Sequence, residues 1–239
     1  MKSAAGLMHL ALAMLLLVSA CSRSDAIPPR TKKLYSQNDE ELIIRDFFND
    51  RKGGFFLDVG SYHWEQLSTT YFLEKYLGWS GIAIDAQAGF AEGYKKYRPK
   101  TKFFSYAVTD HSGDTLKLYL TGGTSSLDSE WYKFFVRKGD DAKPPTAVDV
   151  PTITLNDLLE RNGVTKIDFL TMDIEGAELP ALAGFDIDKY QPELVLIEPT
   201  TKTRDPILAY LNQHGYERID EYLARDKQSW YFRRAKAPQ

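Results

Sequence analysis

The chain of 239 residues contains a single cysteine, Cys21, so no disulfide can form within it. Bases do not outnumber acids: 30 Lys and Arg stand against 33 Asp and Glu, a formal net charge of −3. No basic stripe runs along any segment, which argues against a nucleic-acid partner. Internal repeats and low-complexity tracts are absent, which excludes a solenoid. Histidine is scarce, at four. His9 precedes the domain and His214 adjoins Gly215 at a helix end, so His63 and His111, each just past a strand edge, are the only histidines placed to act as a base. A long apolar run occurs once, from Leu7 to Val18.

That run follows Lys2 and ends in Val18-Ser19-Ala20-Cys21, the pattern of a secretory signal with small residues before a cleavage site. The tetrapeptide resembles a bacterial lipobox, which makes Cys21 a lipidation candidate and the chain an exported, membrane-attached lipoprotein. The alternative is an uncleaved anchor whose following bases hold a domain facing the cytoplasm. Residues 1–20 therefore read as signal. Residues 21–37, with Arg23, Arg30, Lys32, Lys33 and the pair Pro28-Pro29, read as a basic tether. Residues 38–239 have room for one well-filled core.

Within that domain, strand-like and helix-like segments alternate. Asn38 is expected to cap a helix carrying Leu42, Ile43, Phe47 and Phe48 on one face, ending at Gly53-Gly54. Strands are expected at 55–59, 82–85, 102–108, 167–172 and 194–197, with Lys117–Leu120 paired beside the third. Helices are expected over 67–77, 90–97, 154–161 and 206–213, with another after the fourth strand running to Leu182, and two further strands, 216–222 and 229–232, form a closing antiparallel hairpin. Such alternation builds a mostly parallel sheet with helices on both faces. In such sheets, ligands sit at the C-terminal strand edges.

Three edges carry candidate groups. Gly60 allows a tight turn after the first strand, leaving amides near Ser61 and Tyr62 to face a polar ligand. Asp58 precedes that turn, and Asp85 ends the second strand, where a carboxylate can accept from both hydroxyls of a ribose. Asp173 and Glu175 leave the fourth strand two residues apart. Asp173 is the first candidate for a base or acceptor-orienting group, Glu175 the second, and His63 a third. Glu178 reads as a first-turn acid. Asp173, Glu175 and Glu198 could in principle hold a hard cation, but no spacing selects one, so no metal is assigned. The irregular stretch 121–147, with Gly122-Gly123, three hydroxyl residues and Trp131, Phe134 and Phe135, is the candidate for acceptor specificity.

Five ordered segments carry a resemblance: FLDVGSYHWEQLSTTYFLEKYLGWSGIAIDAQAG, YAVTDHSGD, GGTSSL, VPTITLNDLL and IDFLTMDIEGAELPALAGF. Together they resemble the FkbM-type methyltransferases, over most of the chain from about Gly53 to Glu198. The resemblance implies the class I methyltransferase fold, a Rossmann-like sheet of seven strands. It also implies S-adenosylmethionine as donor and methyl transfer to an oxygen of a sugar, glycolipid or other small hydroxylated molecule. Asp58, Gly60, Ser61 and Asp85 would hold the donor, with Val108 and Asp110 near its adenine. Where the family has a second glycine four positions after Gly60, this chain has Trp64, whose indole would either fill the methionine pocket or swing out. The alternative function is a membrane-tethered binding module that kept the fold and lost the donor.

Overall fold

The computed structural model describes residues 26–129 and 146–235. Helix α1 (Glu40–Phe48) leads into β1 (Phe55–Val59), α2 (Tyr71–Leu77), β2 (Ser80–Ile84), α3 (Ala91–Tyr97), β3 (Thr101–Phe104), β4 (Ala107–Val108) and β5 (Thr115–Leu120). The described chain resumes with β6 (Thr146–Ile153), α4 (Leu155–Arg161), β7 (Phe169–Met172), α5 (Glu178–Ala183), α6 (Ile187–Tyr190), β8 (Leu194–Ile197), α7 (Arg204–Gln213), β9 (Tyr216–Arg218) and β10 (Trp230–Arg234).

The main sheet has seven strands in the order β3-β2-β1-β7-β8-β10-β9. All pairings up to β8 are parallel, and β10 runs antiparallel between β8 and β9. Chain direction across the sheet reverses between β1 and β7, which makes their C-terminal edges the switch point where open α/β sheets bind ligands. The strands next to it are buried without alternation and, apart from Asp58 and Thr171, apolar, as befits strands covered on both faces. Successive residues then divide between two cores. Leu57, Val59, Leu170, Met172, Val195 and Ile197 pack with α4, α5 and α7, whereas Phe56, Phe169, Leu194 and Leu196 pack with α1 and α2. Trp79, fully enclosed in the second core, lies edge-on to Phe48 at 5.0 Å and donates its indole N–H to the Arg51 carbonyl at 2.7 Å. Burial of such a ring with its polar atom satisfied is worth about 3 kcal/mol.

The expected seven-stranded α/β sheet is present, with several local differences. Asn38 does not cap α1; its amide group reaches Glu40 and Gln228 instead, and the helix stops at Asn49 in the left-handed region rather than at Gly53. The second helix begins at Tyr71, four residues later than expected, because 61–70 forms a loop. The third strand is two: β3 ends at Phe104, and β4 joins a separate three-stranded sheet, β4-β6-β5. Accordingly β5 pairs with β6 and not with β3. Strand β6 was hidden by Pro151, which sits opposite Thr115 at the start of β5. Between β9 and β10 lies a 3₁₀ segment, Asp220–Ala224, so the closing hairpin has a long connection.

Residues 30–36, placed by sequence in the tether, pack onto the domain. Tyr35 meets Tyr71 edge-on at 4.6 Å, the Glu41 carboxylate accepts the Leu34 and Tyr35 amides, Arg30 pairs with Asp46 and Asp50, and Ser36 bridges to Leu67. The signal segment and Cys21 lie outside the described residues. Among the described residues, no helix is long and apolar enough to cross a membrane.

Candidate functional site

A cavity of about 520 Å³ opens at the C-terminal edges of β1, β2 and β7. One half is built by the edges of β1 and β2. Gly60 adopts φ +83°, and a Cβ placed on it would lie 1.8 Å from the Asp173 carbonyl oxygen. Glycine is therefore required twice, for the left-handed turn and because the β1 and β7 backbones nearly touch there. The amides expected to face a ligand are already used. Gly60 and Ser61 N–H both donate to the Ile84 carbonyl, at 2.8 and 3.0 Å, and Tyr62 N–H donates to Asp85 Oδ2 at 2.8 Å. No helix starts at this turn, since α2 begins only at Tyr71. What remains for a ligand is Ser61 Oγ, buried without a hydrogen-bond partner.

Asp85 lines the cavity, and its other oxygen accepts the Gln87 amide at 2.8 Å. Burial raises its carboxyl above the ordinary range while those two amides oppose the shift. Each oxygen keeps a lone pair for a further donor. Asp58 is buried beside it and accepts the Thr70 hydroxyl at 2.6 Å. Burial pushes Asp58 up to about 6, against the lowering effect of Thr70 and Arg98. Val108 lines the same half with Tyr106 and Leu118.

Two expected residues do not reach the cavity. Asp110 points outward, held by Thr109 Oγ1 at 3.1 Å and His111 at 2.6 Å. His63 caps its own turn: Nδ1 accepts the Glu65 and Gln66 amides at 3.1 and 2.9 Å, and burial lowers its affinity for a proton. A ring nitrogen committed to two N–H donors is not a base for a substrate. Trp64 also stays out. Its indole stacks on His63 at 3.7 Å and lies across Gly93, where a Cβ would come within 1.9 Å of the ring.

The other half of the cavity carries Asp173, Glu175 and Glu198. Asp173 stands at the cavity wall with its side chain exposed. The protein around it first, and then the Glu198 and Glu175 charges, push its carboxyl above the ordinary range, an effect that this exposure screens. Glu175 is pushed to about 7 by burial and then by Glu198 and Glu178. Its backbone is left-handed, φ +54°, and Ser126 Oγ donates to its carbonyl at 3.2 Å, pinning the 122–127 loop beside it. Glu178 turns back onto the Gly176 amide at 3.0 Å and faces away from the cavity. Trp131, Phe134 and Phe135 lie outside the described residues. Among the described residues no group of three or more His, Cys, Asp or Glu is placed to hold a metal ion.

Sequence reasoning missed Leu67 of the 61–70 loop and also Gln37 and Gln228, which wall the cavity from the two ends of the domain. Asn38 Nδ2 joins the two ends by donating to Gln228 Oε1 at 2.6 Å. No local signal marks these residues, because only the fold brings them together. It also missed Arg98, whose charge is hidden behind the 61–70 loop.

A search of the curated proteins gives no significant match. Among solved structures the chain is similar to precorrin-6y C5,15-methyltransferase from Geobacter metallireducens GS-15, at 12% identity and TM-score 0.44, covering 79% of this chain and 76% of that one. It is also similar to a SAM-dependent methyltransferase from Thiobacillus denitrificans in complex with S-adenosyl-L-homocysteine, at 13% identity and TM-score 0.38, covering 83% and 74%. The family model of the methyltransferase FkbM domain matches residues 58–218, from the β1 aspartate to the end of β9. The chain therefore belongs to the FkbM methyltransferases, enzymes whose methyl donor is S-adenosylmethionine.

Proposed function

We propose that the protein is an O-methyltransferase acting on a hydroxyl of a sugar, glycolipid or other small uncharged molecule. The donor half of the cavity fits S-adenosylmethionine. Asp85 has lone pairs to spare for ribose hydroxyls, Ser61 Oγ is a buried polar atom lacking a partner, and Val108, Leu118 and Tyr106 offer an apolar slot for a flat ring. Trp64, outside the cavity, does not fill the methionine end, which favours a donor-using enzyme over the donor-less module. When bound, the donor supplies a methyl group on a positively charged sulfur.

The single observation that carries the reading is the placement of two neighbouring carboxyls, Asp173 and Glu175, in the half of the cavity opposite Asp85, where burial pushes Glu175 up to about 7. Methyl transfer to an alcohol needs alignment and removal of the hydroxyl proton. Glu175 has the proton affinity suited to that removal near neutral pH, so the two carboxyls exchange the ranks expected from sequence. Asp173, its carboxyl also raised, stands beside Glu175 as the group that orients the acceptor. Of the described residues lining the cavity none is Lys, Arg or His. Five carboxyls without a cation repel phosphates and carboxylates, which favours an uncharged hydroxylated acceptor.

The test is release of S-adenosylhomocysteine over a panel of methyl glycosides, free polyols and glycolipids. Glu175→Gln is expected to lower kcat by about 10²–10³ and leave donor affinity within about twofold. An acceptor turned over equally well by Glu175→Gln would overturn this assignment. Attachment to a membrane through Cys21 belongs to the same reading; loss of palmitate labelling in Cys21→Ser would support it, and label retained in that variant would refute it.

A further inference from the structure

We infer that Arg98, outside the cavity, is a positioning residue that fixes the donor loop and, through Thr70, aims the Asp58 carboxylate at the donor. The guanidinium follows α3 and is fully enclosed. Its Nε donates to Glu74 at 2.6 Å, Nη1 to the Trp64 carbonyl at 3.0 Å and Ser68 Oγ at 3.4 Å, and Nη2 to Thr70 Oγ1 and Thr101 Oγ1, each at 3.2 Å. Three of those five partners lie on the loop that follows Gly60. Glu74 is closed in turn by Thr101 Oγ1 at 2.5 Å and the Lys100 amide at 2.9 Å.

The chain of bonds has a fixed direction. Arginine can only donate, and a hydroxyl has one proton, so Thr70 accepts from Arg98 and must send its own proton to Asp58 Oδ2, at 2.6 Å. That leaves the other Asp58 oxygen for the cavity. A buried ion pair such as Arg98–Glu74 is weak as a source of stability, since apolar residues of equal volume commonly hold a fold as well. Its place behind the donor loop gives it a use in positioning.

Other groups act on Asp58 too. Tyr94 of α3 and Asp85 at the end of β2 face it, its sheet neighbours Ala83 and Thr171 are uncharged, and Asp173, Glu175 and Glu198 share the cavity. Burial and Asp85 raise the Asp58 carboxyl; Thr70 and Arg98 bring it back to about 6, so that it is ionised at pH 7 and can face the donor's ammonium group. This inference stands on the donor site and is independent of which acceptor is methylated.

The test is calorimetric titration of S-adenosylhomocysteine into the full-length protein between pH 5 and 8.5. In the wild type, affinity is expected to fall about tenfold per pH unit below about 6. The double variant Arg98→Met, Glu74→Met, which leaves no orphaned charge, is expected to move that fall upward by about one pH unit. Arg98→Lys keeps the charge but not the fork, so affinity drops at every pH while the position of the fall stays. Thr70→Val removes one of the five Arg98 acceptors and leaves the other four, and is expected to move the fall upward alone. Affinity lost by one common factor at all pH values in the Arg98 double variant and in Thr70→Val, or Thr70→Val binding as wild type throughout, would overturn the inference. Absence of binding by the wild type would overturn both it and the donor assignment.

Discussion

Gly60→Ala probes the point where the two halves of the site meet. A β-carbon there costs about 1–2 kcal/mol from the left-handed backbone alone. It would also lie 1.8 Å from the Asp173 carbonyl oxygen and 2.7 Å from its carbon, both backbone atoms that cannot rotate away. Relief requires the β1 and β7 edges to part by more than an ångström. That breaks or stretches the Asp173 N–H bond to Val59 O at 2.9 Å, worth about 1 kcal/mol. The expected loss is about 2–3 kcal/mol, a substantial part of the 5–15 kcal/mol that typically holds a domain. Gly113→Ala is the control, with φ +96° and nothing within 4 Å of its Cβ, so it carries only the backbone term. Urea unfolding followed by tryptophan fluorescence gives both values. Equal destabilisation of the two variants would refute the claim that strand contact, rather than turn conformation, demands glycine at position 60.

If Asp85 holds the ribose as proposed, Asp85→Ala should reduce S-adenosylhomocysteine affinity at least about tenfold in calorimetry, and it also removes the anchor of the Tyr62 and Gln87 amides. If Glu175 is the base, kcat should rise with pH through about 7, since only its ionised form can take a proton, and Glu175→Gln should flatten that limb of the profile. Asp173→Asn should raise Tm at pH 8 and little at pH 4, the gain held to about 1 °C because the side chain is exposed. The sign follows from a carboxyl raised in the folded state, whose ionisation penalises the fold only as pH climbs; an equal gain at both pH values would exclude a charge origin. Trp64→Leu should leave donor affinity within about twofold, because the indole packs on Gly93, His63 and Tyr97 rather than in the cavity.

Long apolar strands and the acids that end them were readable from sequence because both are local. Phe55–Val59 and Leu194–Ile197 lie where the apolar runs put them, and Asp58, Asp85, Asp173 and Glu175 all line one cavity. What local pattern could not carry was the partner of each group. A turn glycine at 60 implied free amides, but Ile84 and Asp85 had claimed them. Asp110 and His63 stood at strand edges as the pattern required, yet neighbours one to three residues away hold them outside. The run 102–108 read as one strand, though it divides between two sheets. Gln37 and Gln228 were beyond any local signal, lying far apart along the chain on either side of the matched family segment.

The two halves of the cavity differ in how much of the chain each one draws on. Groups suited to the donor come from one stretch, residues 58–118, whereas the opposite wall is assembled from Gln37, the 123–127 loop, the β7 edge, Glu198 to Thr200 and Gln228. Of those scattered pieces the β7 edge touches the first half directly, where the Asp173 backbone meets Gly60. With that wall as the acceptor side, as proposed, a scaffold partitioned in this way can try new acceptors one loop at a time while the donor side stays intact.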